Sequence, residues 1–317
     1  VVGRDGDADL CVDDATVSRR HVEVAPAEGG LRIADLGSHN GTFLDGRRLE
    51  GGIVGAAVAP VGALVRVGQT LLAVTDDVGA FQRERERGAG DDLVGGLGLA
   101  RVRDHVARYG PSELHVVLLG ETGAGKEVVA RALHRASGRS GALVPLNCAA
   151  VPHGLFESEL FGHRRGAFTG ATADAPGKFR AAQRGTLLLD EIADLPAESQ
   201  AKLLRAVETR EVTPLGSTDA TKVDVRVICA TAADLRGAVA AGRFRQDLYH
   251  RLNGVTIFVP PLRDRRADIP LLVRRFAGPE VGVDTEAMEQ LYLAAWPGNV
   301  RELQQTVRAA LPGFLGR

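Results

Sequence analysis

The run Val116-Val-Leu-Leu119, the loop Gly120-Glu121-Thr122-Gly123-Ala124-Gly125-Lys126 and the stretch that follows to Ala136 constrain the fold more than anything else in this 317-residue chain. A continuous apolar strand breaks into a loop with three glycines and resumes as a helix. Gly120, Gly123 and Gly125 let the backbone curl so that its N–H groups face a polyphosphate, and the helix behind adds its positive end. Lys126 is placed to reach the β and γ phosphates. Such a strand–loop–helix unit predicts a mostly parallel sheet with crossover helices. Leu187-Leu-Leu189 and Val225-Arg-Val-Ile228 read as further buried strands of it. Taken alone, the loop could also be a plain Gly-rich turn between strand and helix.

A second motif decides against the plain turn. Gly185-Thr-Leu-Leu-Leu-Asp190-Glu191 is an apolar strand ending in two carboxylates, and strand ends are where open α/β sheets bind ligands. Asp190 would orient Mg²⁺, mostly through water. Glu191 would polarise an attacking water. By itself an Asp-Glu pair would read as a solvated acidic turn. General phosphate loops carry Ser or Thr after the lysine, whereas here Glu127 follows Lys126.

The hydrophobic period changes along the chain. Residues 1–75 alternate short apolar runs (Val22–Val24, Leu31–Ile33, Leu64–Val67, Leu71–Val74) with Gly, Asp and Asn turns, an all-β pattern. Residues 76–91 are charged and end Gly-rich, which predicts a linker with a short helix through Gln82–Arg87. Residues 92–262 alternate strand and helix. Residues 263–317 read as helical, broken at Pro270, Gly278-Pro279, Pro297-Gly298 and Pro312-Gly313, and predict a small α-helical lid.

Composition excludes several classes. Apolar residues make up 44% and charged ones 25%, with a net charge of −1, so neither disorder nor polyanion binding by bulk charge is expected. No apolar window is long enough for a membrane helix, and no secretory signal is visible. The three Cys are scattered without metal spacing, which fits small core residues in a reducing cytoplasm. The chain has 35 Arg and 4 Lys. Against that bias, Lys126 stands where the loop wants a compact ammonium.

The hexapeptide Gly166-Ala167-Phe168-Thr169-Gly170-Ala171 places an apolar Phe in a loop too Gly-rich to be core. The ordinary reading of Phe168 is a plug beneath the loop. The other is a tip that grips something outside the chain. With the phosphate loop and the acidic pair, this hexapeptide resembles the AAA+ activators of sigma-54 RNA polymerase, from about Asp92 to Arg308. The resemblance implies ATP and Mg²⁺ as cofactors and accounts for Glu127. It makes Asn147 a switch that holds Glu191, against the alternative of a turn or cap Asn. It makes Arg245 and Arg251 reach into a neighbouring subunit's site, Arg301 a second sensor, and Val94 and Gly95 part of the adenine pocket. Thr231 lies on the first sensor strand, where Ala232 replaces a residue that is commonly polar. Phe168 and Thr169 would contact sigma-54, with the ATP cycle raising and lowering the loop.

Within residues 1–75, Gly3-Arg4, Ser18-Arg19-Arg20-His21 and Leu36-Gly-Ser38-His39-Asn40-Gly41-Thr42 occur in order. They resemble the forkhead-associated (FHA) domain, a β-sandwich that binds phosphothreonine. Arg4 and Arg19 offer charge-assisted donors to a phosphate dianion, and Ser18 a hydroxyl. Asn40 would bond the peptide backbone. His39 is placed either to contact the phosphate or simply on a surface loop, and His21 reads as structural.

The expectation is therefore an all-β FHA sandwich followed by an α/β AAA+ P-loop NTPase domain with a small α-helical lid. It would be a cytoplasmic ATPase, working as a ring-shaped homo-oligomer, a hexamer, that remodels sigma-54 holoenzyme. A phosphothreonine-containing protein or segment would regulate it. The alternatives are a phosphopeptide adaptor whose AAA+ half only switches shape with nucleotide, and a generic AAA+ motor, which would lack the Gly166–Ala171 insertion. No DNA-binding helix-turn-helix is expected within these residues, because the sequence stops at Arg317 soon after the lid.

Overall fold

The computed structural model describes residues 1–50, 55–76 and 93–311. The expected linker beyond Asp76, with its short helix through Gln82–Arg87, and the break at Pro312-Gly313 lie outside these residues. The chain forms two compact units, one of residues 1–100 and 262–317, the other of residues 101–261.

Among the described residues the first unit opens with nine short strands: β1 (Val2–Gly3), β2 (Leu10–Cys11), β3 (Val22–Ala27), β4 (Gly30–Asp35), β5 (Thr42–Leu44), β6 (Arg47–Arg48), β7 (Ala57–Ala59), β8 (Leu64–Val67) and β9 (Thr70–Ala73). They form two sheets, ordered β2-β1-β3-β4-β7 and β6-β5-β8-β9. Alternation decides which faces meet. Val2, Val22, Ile33 and Ala59 of one sheet and Val65 and Val67 of the other share one buried cluster, the interior of a sandwich. The turn between β3 and β4 closes through Gly29 and Gly30 at positive φ. A side chain at Gly30 would strike the Ala59 carbonyl.

The second unit holds a parallel sheet ordered β11-β12-β15-β10-β16. Its strands are β10 (Val116–Leu119), β11 (Leu143–Asn147), β12 (Thr186–Asp190), β15 (Arg226–Thr231) and β16 (Val255–Phe258). Between β12 and β15, a two-residue ribbon pairs β13 (Glu211–Val212) with β14 (Thr221–Lys222). Helices α1 (Ala100–Tyr109), α2 (Lys126–Ala136), α3 (His153–Phe161), α4 (Gly177–Ala181), α5 (Ala197–Thr209), α6 (Leu235–Ala240) and α7 (Gln246–Leu252) accompany the sheet. Leu187, Leu188 and Leu189 are fully buried, which is worth roughly 2 kcal/mol each. Arg226, buried on the central strand, donates to the carbonyls of Tyr109, Gly110 and Leu114 at 2.7–2.9 Å. It thereby serves the orphan carbonyls at the end of α1.

Three lid helices complete the first unit: α8 (Ile269–Ala277), α9 (Thr285–Leu293) and α10 (Asn299–Ala310). Leu262, Ile269, Leu272, Trp296, Leu303 and Val307 form their core. The Trp296-Pro-Gly-Asn299 turn is built for this packing. Trp296 and Asn299 both take positive φ. Trp296 Nε1 donates to Leu291 O at 2.7 Å, and Asn299 Oδ1 accepts Leu262 N at 2.8 Å. Glu302 reaches back to the Gly298 N–H at 2.8 Å, a capping contact. Asp284 caps α9 by accepting from the N–H groups of Glu286 and Ala287. No helix among the described residues is long and apolar enough to cross a membrane.

Candidate active site and recognition loops

The loop between β10 and α2 curls as its glycines require, with Gly123 and Gly125 at φ 78° and 104°. Gly120 lacks a side chain for a different reason, since a Cβ there would sit 2.6 Å from the Val259 carbonyl. Lys126 is buried, and its ammonium donates to the loop's own carbonyls, Gly120 O at 2.8 Å and Glu121 O at 3.3 Å. Glu191 Oε1 lies 3.8 Å away. Thr122 is exposed and Ala124 buried within the same loop. Glu127 points outward and pairs with Arg131 one helical turn on, at 2.5 Å.

The acidic pair ends β12 as the sequence implies. Asp190 is half-buried, and its carboxyl is pushed above the ordinary range by burial and by neighbouring Glu191. Glu191 leaves the strand in the left-handed region, φ 50° and ψ 52°, which turns its carboxylate toward β15. There Glu191 Oε2 accepts the Ala232 N–H at 3.2 Å. The contact uses the backbone of the residue whose side chain departs from the family pattern, and no side-chain motif signals it. Thr231 is buried, and its hydroxyl accepts Ala233 N at 3.0 Å. Asn147 is in register with Asp190 on β11. Its Oδ1 caps the short helix after it, accepting Ala149 N at 3.0 Å. Asn147 therefore acts as a cap in this conformation, and Lys126 and Ala232 hold Glu191.

Arg245 precedes α7 as its N-cap and Arg251 lies in its last turn, and both are exposed. Arg245 makes a two-pronged ion pair with Asp247, at 3.0 and 2.7 Å. Its own N–H is fixed by Gln200 Oε1 at 2.8 Å. Val94, Gly95 and Arg301 belong to the other unit. Gly95 is buried with no room for a Cβ beside Asp268 and Leu99. Arg301 stands exposed on α10.

The Gly166–Ala171 segment closes on itself. Gly166 N donates to Ala171 O at 2.8 Å and Ala171 N to Phe168 O at 3.0 Å. Gly166 and Gly170 carry the turn at φ 82° and 101°. Thr169 and Gly170 are exposed, Ala167 is half-buried and Ala171 buried. Phe168 is neither bare nor a plug. It is half-buried, with its ring edge against His163 at 5.0 Å between centroids. Asp174, which sequence reasoning passed over, pins the base of the loop by accepting Arg164 Nη1 at 2.6 Å and Arg165 N at 2.8 Å.

In the sandwich, three loops converge through hydrogen bonds. Arg4 N donates to Ser18 O at 3.0 Å, and Arg4 Nε to Val17 O at 3.2 Å. Ser18 Oγ accepts His39 N at 3.1 Å, and Asn40 Nδ2 donates to Thr16 O at 2.6 Å. A side chain at Gly3 would collide with the Arg19 carbonyl, which explains the glycine before Arg4. Arg4, Arg19, His39 and Asn40 are exposed on this surface. His21 is fully buried, its Nδ1 accepting Ser18 N at 3.0 Å and its Nε2 meeting Gly41 O at 3.1 Å. Asp35 is the residue the sequence did not reveal. Its Oδ1 accepts Gly37 N and Ser38 N, and its Oδ2 accepts the hydroxyls of Ser38 and Thr42, all within 2.9 Å.

Comparison with known families places these features. Residues 97–258 match the sigma-54 interaction domain, residues 1–68 the FHA domain, and residues 263–312 an AAA+ ATPase lid domain. The transcriptional regulatory protein ZraR of Escherichia coli strain K12 is 52% identical over 215 residues, 65% of this chain and 49% of that protein. The DNA-binding transcriptional regulator NtrC of Azospirillum brasilense is 49% identical over 211 residues, 64% of this chain and 44% of that protein. The chain spans about half the length of the curated relatives it matches. NtrX from Brucella abortus, solved in complex with ATP, superposes with a TM-score of 0.62 at 40% identity, covering 68% of this chain and 49% of that one.

Proposed function

The chain belongs to the sigma-54 interaction domain family, and from that premise we propose that it is an ATPase that works as an oligomeric ring. It couples hydrolysis to remodelling of the sigma-54 holoenzyme, under phosphothreonine control through its FHA sandwich. Lys126 binds the terminal phosphates when its ammonium leaves the carbonyls of Gly120 and Glu121. Glu191, held by Ala232 N, is the base that orients and deprotonates the attacking water. Asp190 fits a Mg²⁺ ion, because one strand-end carboxylate plus substrate phosphates and water is the usual set for this cation. When bound, the ion supplies charge neutralisation of the phosphate oxygens. A positive charge there also relieves the crowding that raises the Asp190 carboxyl.

Exchange of Asn147 from Ala149 N to Glu191 would couple the state of the nucleotide to the base. Arg245 and Arg251, both exposed on the α/β unit, reach the developing charge on the transferred phosphoryl group of an adjacent subunit. Homo-oligomerisation, most simply a hexameric ring, follows from that division of labour. Val94, Gly95, Thr231 and Arg301 are assigned to nucleotide binding and sensing. Arg4, Ser18, Arg19, His39 and Asn40 are assigned to the phosphothreonine ligand.

The observation that carries the sigma-54 reading is the closed loop Gly166–Ala171, with exposed Thr169 and Gly170 at its tip and Phe168 leaning on His163. A half-buried ring packed edge-on against His163 gives up that ring contact, roughly 0.5–1.5 kcal/mol, and its partial burial when it swings out. The test is retention of sigma-54 by the protein with ADP plus a metal-fluoride transition-state mimic. Retention that needs the mimic and vanishes in Phe168→Ala, with ATP turnover intact, is the expected result. Equal retention by the variant would remove the loop from the contact.

A further inference from the structure

The sandwich and the lid share a surface that the readings above do not use. Helix α9 packs on β8 and β9. Arg66 lies over the Phe43 ring at 3.8 Å, and its Nε donates to Glu289 Oε2 at 2.9 Å, with exposures of 15% and 9%. A pair this sheltered is screened less than a surface ion pair. Tyr292, buried on the same helix, donates its hydroxyl to Gly62 O at 3.3 Å. At the start of α9, Thr285 Oγ1 donates to Gln69 O at 2.9 Å.

That last contact leads into the phosphothreonine loops. The Gln69 N–H is shared between Thr16 Oγ1 at 2.8 Å and Asp14 Oδ2 at 2.9 Å. Thr16 Oγ1 donates to Asp14 Oδ1 at 2.6 Å, and Thr16 O accepts Asn40 Nδ2 at 2.6 Å. The hairpin tip has no slack, because Gly68 has φ 57° and a Cβ there would sit 2.3 Å from Thr16 Oγ1. The Gln69 backbone is thus bonded to Thr16 through its N–H and to the first turn of α9 through its carbonyl.

We propose that sandwich and lid move as one body, in which occupancy of the phosphothreonine loops is transmitted to helix α9 through Asn40, Thr16, Gln69 and Thr285. The proposal rests on the phosphothreonine reading of these loops. A primary amide has two donors and one acceptor oxygen. Asn40 spends one N–H on Thr16 O, so a peptide backbone that takes the other N–H and the oxygen turns or pins the amide that holds Thr16. Thr16 cannot shift alone, since Asp14 and Gln69 grip it. The strain passes to the carbonyl that holds Thr285, on a helix whose far end is clamped by Glu289 and Tyr292. Regulation then acts on the lid, which carries Arg301, and not on the phosphate loop directly.

Spatial continuity alone does not establish coupling, so the test measures it. Hydrogen exchange of the α9 amides is followed in the full chain, with and without a pool of phosphothreonine peptides of randomised flanks. Asn40→Ala is expected to speed exchange across Thr285–Leu293 about threefold or more. The effect should disappear in a Thr285→Val background and survive in Thr285→Ser, which keeps the hydroxyl. The pool should change α9 exchange in the wild type and not in Thr285→Val. Unchanged α9 exchange in Asn40→Ala, in protein with a wild-type unfolding midpoint, would overturn the proposal. If the pool does not bind but Asn40→Ala still loosens α9, the phosphothreonine reading fails and the loop-to-lid coupling stands.

Discussion

The two candidate sites are held in place by different physics. In the α/β unit, functional groups stand at the ends of buried strands, and the backbone aims them. Asp190 ends a strand whose leucines are fully buried, and Glu191 is turned by its own left-handed φ. In the sandwich, functional groups stand on loops with little apolar cover, and two carboxylates arrange them. Asp35 gathers four donors from residues 37–42. Asp14 gathers donors from Thr16, Gln69 and Thr70. A site aimed by sheet packing should fail in chemistry when a side chain is changed and keep its shape. A site aimed by carboxylate hubs should lose its shape first.

The largest effects therefore belong to the α/β unit and to turnover. Arg251→Ala is expected to lower phosphate release by about a thousandfold with ATP affinity kept. Glu191→Gln is expected to lower it by about a hundredfold or more, also with binding kept. Neither should move the unfolding midpoint by much, since Arg251 is exposed and Glu191 is only half-buried. Mixing the two inactive proteins in equal amounts sharpens the point. If Arg251 acts on a neighbour, some interfaces regain an intact Arg and an intact Glu together, and turnover returns. A mixture as dead as its components would place Arg251 in its own subunit's site.

Acid should separate the two units next. His115, half-buried beneath the sheet, has its basicity lowered to about 4 by burial and by the charges of Arg251, Arg226 and Arg210. Its Nδ1 accepts the Val227 N–H at 3.1 Å, so the folded state requires the neutral ring. Unfolded, the imidazole takes its proton near pH 6.5; folded, not until about 4. The unfolded state therefore binds more protons between those values. The α/β unit loses stability as pH falls through that window, by roughly 3 kcal/mol in all. Exchange protection of β10 and β15 should drop there. Fluorescence of Trp296, the one Trp of the chain and part of the lid core, should hold. His115→Gln should flatten the difference; coincident loss by both probes would show one cooperative transition instead.

How much of this was legible follows from the same contrast. The strand Val116–Leu119 and the helix Lys126–Ala136 stand where hydrophobic period and glycines put them. So does the three-helix lid, because local pattern and buried packing agree in those segments. The order of the parallel strands came from no pattern in the sequence, as it depends on which helix covers which face. Side-chain partners on loops were the least visible. Asp35, Asp14 and Asp174 look like ordinary turn residues until the donors around them are seen. Ala232 looked like a defect, yet its backbone N–H meets Glu191, and no sequence pattern encodes a backbone contact. Phe168 is half-buried with its ring against His163, a contact that the Gly-rich loop sequence does not signal.

The smallest expected effect tests the hub side of the comparison. Desolvation works against the Asp35 carboxylate, but hydrogen bonds from Ser38, Thr42 and Gly37 outweigh it and hold its pKa below the ordinary value. Its stabilisation is complete above the unfolded value of about 3.9 and is lost as pH falls through the lower folded value. The Asp35 contribution should thus hold through the pH range in which His115 weakens the α/β unit, and fade only below about 4. Asp35→Asn removes the charge at neutral pH, keeps the size, and sets an amide N–H₂ against hydroxyls that now donate. We expect about 1–2 kcal/mol of lost stability, confined to the first unit. The 37–42 segment should exchange faster, and β10 and β15 should not change. Phosphothreonine affinity should fall although no phosphate contact is deleted. Full affinity in Asp35→Asn would mean that the loops are fixed by something other than the carboxylate, such as the buried His21 bridge between Ser18 and Gly41, and the contrast between the two sites would then rest on a histidine.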